Sequence, residues 1–195
     1  DNDLCIRNLD GDSSKQLIEL GRNFGTLRIE VTLTKLSQMG PMALVFFHVD
    51  SYKGNELVHT LNTSFGFFSQ EALVTQLGLP VTDEIRELRD KESDYFVDLT
   101  EKPEKFCAGS LRIANPMLRM IDQLTGYWPE EGDAGLGRIR ARQTVDPDAW
   151  YFKAHFFQDP VQPGSLGLEA LLQLLQCYMI EKGLDAGLKE PRFEA

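Results

Sequence analysis

An α+β fold, with an antiparallel sheet and one long apolar helix, is what this sequence predicts. Three observations carry that reading. Leu27, Ile29, Val31 and Leu33 alternate strictly with Arg28, Glu30, Thr32 and Thr34, the period-two signature of a half-buried strand. Lys53-Gly-Asn55 separates two further strand-like runs by a turn of hairpin length. Leucines 168, 171, 172 and 175 recur at helical spacing in an almost wholly apolar stretch, and so broad an apolar face predicts a largely enclosed helix.

Residues 1–25 are polar and poorly periodic, with a short helix expected over Ser13–Leu20, capped by Ser13 or Ser14. The strand over Leu27–Thr34 is broken by Gln38-Met-Gly-Pro41, and Met42–Val49 forms a denser apolar strand that turns into Glu56–Phe65. Three strands joined by short links imply antiparallel pairing. A helix is expected over Ser69–Leu77, with Gln70 and Glu71 in its first turn and Gly78 and Pro80 as its stop. Residues 85–110 read as a surface helix plus a linker, which divides the chain into 1–84 and 111–195.

Beyond the linker, Ile113–Leu124 is apolar enough to line a core. Gly132–Gly137 reads as a turn and Leu136–Val145 as a strand with Arg138, Arg140 and Arg142 on its outer face. Pro147 starts a short turn that ends in Trp150-Tyr-Phe152, and the last helix runs from about Ser165 to Glu181, stopped by Gly183.

A length of 195 residues allows one compact domain or two small ones, and 42% hydrophobic residues with twelve Phe suffice for a real core. The formal charge of −10 disfavours a nucleic-acid partner, whose affinity rests on clustered Lys and Arg. It argues equally against docking on an anionic membrane. Cys5, Cys107 and Cys177 leave one thiol unpaired and show no metal-ligand spacing, so a reducing, cytoplasmic setting fits. The apolar run Leu166–Ile180 is interrupted by Glu169, Gln173 and Gln176, which speaks against a membrane span. Nothing at the N-terminus resembles a signal peptide, and a chain beginning at Asp1 is expected to be a piece of something longer.

Chemistry concentrates between Ala154 and Gln173. His155, flanked by Phe152, Phe156 and Phe157, reads as a general base at the edge of an apolar cavity, or else as a core histidine bonded to a backbone carbonyl. Glu169 sits among apolar helix neighbours, where an ionised carboxylate needs a partner; an exposed first-turn glutamate is the plainer alternative. Gln173 follows one turn later, placed to hold that carboxyl or donate to a substrate, or to stand on the surface. Pro160, Pro163, Gly164 and Gly167 shape a corner. The N–H groups of Gly164 and Ser165 there are candidates for an oxyanion hole, or merely for a turn that starts a helix. Asp159 is expected to stabilise the loop.

Other chemistries fail on spacing. His48, His59 and His155 lack metal-ligand spacing, so no metal is expected. Pro163-Gly-Ser-Leu-Gly167 is not a nucleophile elbow, and glycines 132, 135 and 137 match neither a dinucleotide nor a P-loop pattern. The arginine face of the 136–145 strand is a candidate for the phosphate of a pantetheine arm or for an acidic carrier protein, beside the plainer reading of a solvated face.

His155-Phe156, Asp159-Pro160-Val161, Pro163-Gly164, Leu166-Gly167, Glu169-Ala170 and Gln173 closely resemble the active-site segment of the beta-hydroxyacyl-carrier-protein dehydratases, a hot-dog family. Pro116-Met-Leu-Arg-Met-Ile-Asp122, Trp150-Tyr-Phe152 and Ser64-Phe-Gly-Phe-Phe68 look most like the dehydratase domains of polyunsaturated fatty acid synthases and related polyketide-type megasynthases. The resemblance implies a hot-dog fold, a long apolar helix wrapped by an antiparallel sheet, with the strands before the motif suggesting parts of a double hot dog. It implies dehydration of 3-hydroxyacyl thioesters on acyl carrier protein to 2-enoyl thioesters. His155 and Glu169 fall on the catalytic pair, Gly164 on the backbone oxyanion donor, and Gln173 on the helix glutamine. Phe156, Phe157, Leu168 and Leu172 are expected to line the acyl tunnel.

The resemblance implies no cofactor beyond the phosphopantetheine that carries the substrate, and either a neighbouring hot-dog domain or a second copy as partner. Glu169 departs from the family aspartate; its extra methylene moves the carboxyl by about 1.5 Å. That departure keeps open a non-catalytic hot-dog domain that packs against an active one or binds carrier protein. Enoyl isomerisation and thioester hydrolysis are the enzymatic alternatives.

Overall fold

The computed structural model describes residues 4–21, 23–40, 42–156 and 159–193, in two units, Asp1–Leu79 and Pro80–Ala195. Turn chemistry sets the register of the first. Its strands are β1 (Leu4–Gln16), β2 (Leu27–Met39), β3 (Met42–Lys53) and β4 (Glu56–Ser69), paired antiparallel in the order β1-β4-β3-β2. Gly40 and Gly54 take φ of +60° and +62°, the left-handed values a two-residue hairpin needs and glycine supplies without a Cβ clash. Met39 therefore faces Met42, and Lys53 faces Glu56.

Two expectations fail in this unit. Ser13–Leu20 is no helix: residues up to Gln16 belong to β1, which pairs with β4. Register shifts between Asn8 and Asp10 and between Asp12 and Lys15 break the alternation that would have marked a strand. β2 has the alternation read from the sequence, but it is an edge strand and its apolar side is open. Ile29, Val31, Leu33 and Leu36 are 54–63% exposed. The rows Val31–Val49–Leu61 and Leu33–Phe47–Thr63 run across the sheet, and the unit's helix α1 (Gln70–Val74), capped by Ser69 Oγ on the Ala72 N–H at 3.3 Å, is too short to cover them.

The second unit begins with α2 (Asp83–Asp90), whose N-cap Thr82 accepts the Ile85 N–H at 3.2 Å. Strands β5 (Val97–Asp98), β6 (Gln123–Trp128) and β7 (Arg138–Arg142) form an antiparallel sheet in sequence order, with α3 (Glu104–Cys107) between the first two. Residues 85–110 are thus part of this unit and not a linker: Leu99 and Phe106 are fully buried. They pack with Ile113, Ile121, Leu124, Cys177 and Ile180 in one core. The high charge of this stretch hid two anchoring apolar residues.

Two of the three arginines on the face of β7 are engaged within the unit, and Arg142 is exposed. Arg140 donates to the carbonyls of Arg89, Lys91 and Thr125 at 2.7 Å each, which ties the end of α2 to the sheet. Arg138 pairs with Glu131 at 3.5 Å. Trp128 lies across Gly126, where a Cβ would come within 2.3 Å of the indole. Lys91 and Arg140 sit over the same ring at 5.3 and 5.2 Å.

After the short α4 (Trp150–Ala154), α5 runs from Gly164 to Lys182. Gly183, at φ +66°, ends it. The Gly183 N–H bonds to Ile180 O and the Leu184 N–H to Met179 O, at 3.2 and 3.1 Å, a Schellman-type stop. The helix buries Gln173, Cys177 and Ile180. Leucines 168, 171, 172 and 175 lie on the opposite side and are 48–64% exposed. The enclosure expected from those leucines, and with it the wrapped helix, is not what this unit builds. A helix apolar all round offers two faces to bury, and the core took the one containing glutamine.

Candidate active site

His155 is the C-cap of α4, its backbone N–H bonded to Tyr151 O at 3.1 Å. Tyr151 is buried, and the neighbouring Trp150 indole N–H donates to Met117 O at 3.0 Å. The imidazole is exposed and stacks on Phe156 with ring centroids 4.1 Å apart. It is open to solvent, where the aromatic neighbours had suggested the edge of an apolar cavity. Its Nδ1 lies 3.0 Å from Val161 O. A carbonyl only accepts, so Nδ1 carries the hydrogen and the lone pair of the neutral ring is left on Nε2. The bond to a backbone carbonyl, weighed in the sequence as the structural alternative to a base, here fixes the tautomer that a base requires.

The loop that supplies this carbonyl is itself tied. The Val161 N–H donates to Asp159 O at 2.8 Å, across Pro160. It is the main chain of Asp159 that accepts here, where the sequence suggested a role in loop stability. Pro163 is the N-cap of α5 and no side chain caps the helix. Gly164, the first helical residue, is exposed, and a Cβ there would meet nothing within 4 Å. The helix N-terminus therefore opens beside the His155 loop, with its first N–H groups outside the intrahelical ladder.

Glu169 lies five residues further on, about 7.5 Å along the axis. It is half-buried, and Gln173 Nε2 donates to its Oε1 at 2.8 Å. Gln173 is completely buried. Its Oε1 accepts the Met120 N–H and its second Nε2 hydrogen goes to Leu118 O, both at 2.8 Å. All its hydrogen-bonding capacity on nitrogen is spent, so it positions the carboxyl and has no donor left for a substrate.

Glu169 opens on a groove of about 500 Å³ along α5, lined also by Leu172, Leu175, Gln176, Met179, Arg192 and Phe193. His155 is not among the groove's lining residues. Of the expected tunnel residues, Leu172 lines it, Leu168 is 59% exposed, Phe156 backs the histidine, and Phe157 lies outside the described residues. Leu175, another of the helix leucines, lines it too, while Gln176, Met179 and the tail pair were missed. The spacing Glu169, Leu172, Gln176, Met179 is itself a helical stripe and holds three of the four groove positions on α5 after the carboxylate.

A second polar group lies under the other side of α5. Tyr95 Oη donates to Glu181 Oε1 and Lys105 Nζ sits 2.8 Å from Glu181 Oε2. Burial and the Glu181 carboxylate push the Tyr95 phenol well above its ordinary range. Burial likewise pushes the Cys177 thiol up to about 12, so it is a packing residue and not a nucleophile. Among the described residues no cluster of His, Cys, Asp or Glu converges as metal ligands, and no helix is long and apolar enough to cross a membrane.

The carboxylate, the amide that clasps it and the histidine motif all fall in one stretch of sequence. Residues 113–195 match the FabA-like domain model. A FabA-like domain carries a hot-dog fold and points to dehydratase or isomerase activity in fatty acid biosynthesis. The FabA-like stretch takes in β6, β7, α4 and α5 and every candidate site residue. The four-stranded sheet of the first unit lies before it.

Proposed function

We propose that the chain removes water from 3-hydroxyacyl thioesters carried on acyl carrier protein, giving 2-enoyl thioesters. The observation that carries this is the tautomer of His155, whose Nδ1 is held by Val161 O so that Nε2 faces outward as a base. Nε2 takes the proton on the carbon alpha to the thioester carbonyl. The N–H of Gly164 receives the charge that develops on the carbonyl oxygen. The C–O bond at the beta carbon then breaks, the Glu169 carboxylic acid gives its proton to the departing hydroxyl, and water leaves. The imidazolium and carboxylate return to their starting states by exchange with solvent. No cofactor takes part beyond the phosphopantetheine arm.

His155 does not line the groove onto which Glu169 opens, which suits a site completed by a neighbouring hot-dog domain or a second copy. Carrier protein is the substrate-bearing partner in this reading, in the cytoplasm, within a polyunsaturated fatty acid or polyketide-type synthase. Isomerisation of the enoyl product uses the same alpha-proton transfer, and the FabA-like match favours it as a second activity.

The test is incubation of the chain with a 3-hydroxyacyl thioester on carrier protein, followed by mass for loss of one water. His155→Ala is expected to lower turnover by about 10²–10⁴-fold, the usual contribution of a positioned base. Equal turnover in both proteins would refute the role of His155. No turnover in either, with both folded, would refute a self-sufficient enzyme and leave a hot-dog domain that works only beside a partner.

A further inference from the structure

The groove that begins at Glu169 has a far end, and the C-terminal tail builds it. Glu169 and Met179 are ten positions apart on α5 (179 − 169), or about 15 Å at the helical rise. Beyond Gly183 the chain turns back. Arg192 and Phe193 line the groove together with Met179. The same three residues line a small neighbouring pocket with Leu111, Leu184 and Leu188, which puts the tail at the Met179 end. Phe193 packs against the main core, so this wall is anchored. Arg192, 66% exposed, lines the rim and pairs with Glu190 at 3.9 Å.

We propose that the groove seats the acyl chain and that Met179 and Phe193 close it, so that Phe193 sets the longest chain accepted. The proposal rests on the thioester chemistry read at Glu169, which fixes where carbon 3 lies. An extended chain of staggered ~1.5 Å bonds advances about 1.25 Å per carbon, so about 15 Å holds about twelve carbons beyond carbon 3. Twelve methylenes at roughly the 30 Å³ share of a water molecule fill about 360 Å³, within the 500 Å³ present. Leu172 and Leu175 supply the long apolar wall, which gives those exposed leucines a ligand to cover.

The experiment is equilibrium binding of saturated acyl-pantetheine thioesters, without the 3-hydroxyl, to the full chain and to Phe193→Ala, Phe193→Leu and Met179→Trp. Chains of about eight, fourteen and twenty carbons bracket the groove length. Affinity is expected to rise several-fold for every two carbons up to about fourteen, then level. Phe193→Ala should tighten the twenty-carbon ligand by about tenfold, with Phe193→Leu intermediate. Met179→Trp should weaken the fourteen-carbon ligand by about tenfold and leave the eight-carbon one unchanged. A length profile that none of these variants moves would overturn the proposal. Turnover is read separately: shifted binding without dehydration of any length would refute the dehydratase reading and leave the groove as an acyl seat.

Discussion

Replacing Gln173 with leucine removes three hydrogen bonds from a side chain with no exposed surface. The volumes are similar, so the cost is electrostatic and not steric. The Met120 N–H, in a residue only 2% exposed, loses its acceptor, and a buried unsatisfied donor costs about 1–3 kcal/mol. Leu118 is 44% exposed, so its carbonyl can turn to water at a cost of about 0–1 kcal/mol. The bond to the half-buried Glu169 adds no more than about 1 kcal/mol after solvent screening. Better burial of leucine returns about 1 kcal/mol. The net expectation is a loss of roughly 2 kcal/mol. At about 1–3 kcal/mol per molar urea, the unfolding midpoint should fall by about 1 M. Both tryptophans, Trp128 and Trp150, belong to the second unit, so their fluorescence reports this unit's unfolding. A midpoint displaced by no more than the roughly ±0.5 kcal/mol of an ordinary surface change would refute the reasoning. Gln176→Leu, on the groove side, is the control for that scale.

Gly126→Ala places a methyl group 2.3 Å from the Trp128 ring, so the indole must leave its place beneath Lys91 and Arg140. A loss of about 1–3 kcal/mol is expected from such overpacking, and an unchanged thermal midpoint would count against the packing described. In the first sheet, His48 presents Nδ1 to Asn62 Oδ1 at 2.7 Å and Nε2 to Asp50 Oδ1 at 3.1 Å. With an acceptor on each nitrogen, the Asn62 bond first and Asp50 after it hold the imidazolium pKa above its ordinary 6.5. A raised folded-state pKa gives stability that is complete below about 6.5 and fades as pH rises through the folded value. Stability of the first unit, followed by far-ultraviolet circular dichroism in urea, should therefore fall as pH rises above 6.5, and His48→Gln should flatten that slope.

The strands that the sequence revealed are β2, by its alternation over Leu27–Thr34, and β3 and β4, by a dense apolar run and a hairpin turn, and the helices it revealed have caps or glycine stops, such as Ser69 and Gly183. β1 was hidden because two register shifts scramble its period. The stretch around Leu99 and Phe106 was hidden because two core residues in a charged segment carry no periodic signal. At the site, the motif residues were legible as candidates, but the two faces of α5 were not. A helix apolar on every side does not say which side the core will take, and the buried face turned out to be the one with an amide at its centre. The role of Gln173 follows from that choice and could not precede it. The tail's return to Met179 depends on a chain reversal whose direction no local pattern specifies.

Residues 117–120 hold both halves of the candidate site. The Met117 carbonyl receives the indole of Trp150, on the helix that ends at His155. Leu118 and Met120, the first and third residues after it, grip Gln173 and through it Glu169. The helix that ends at His155 and the carboxyl of Glu169 are thus tied to one short bracket, although His155 does not line the groove onto which Glu169 opens. A displacement of that bracket would carry both groups with it. Where a misplacement of about 1 Å can cost about a hundredfold in rate, a shared mount limits the error in relative placement.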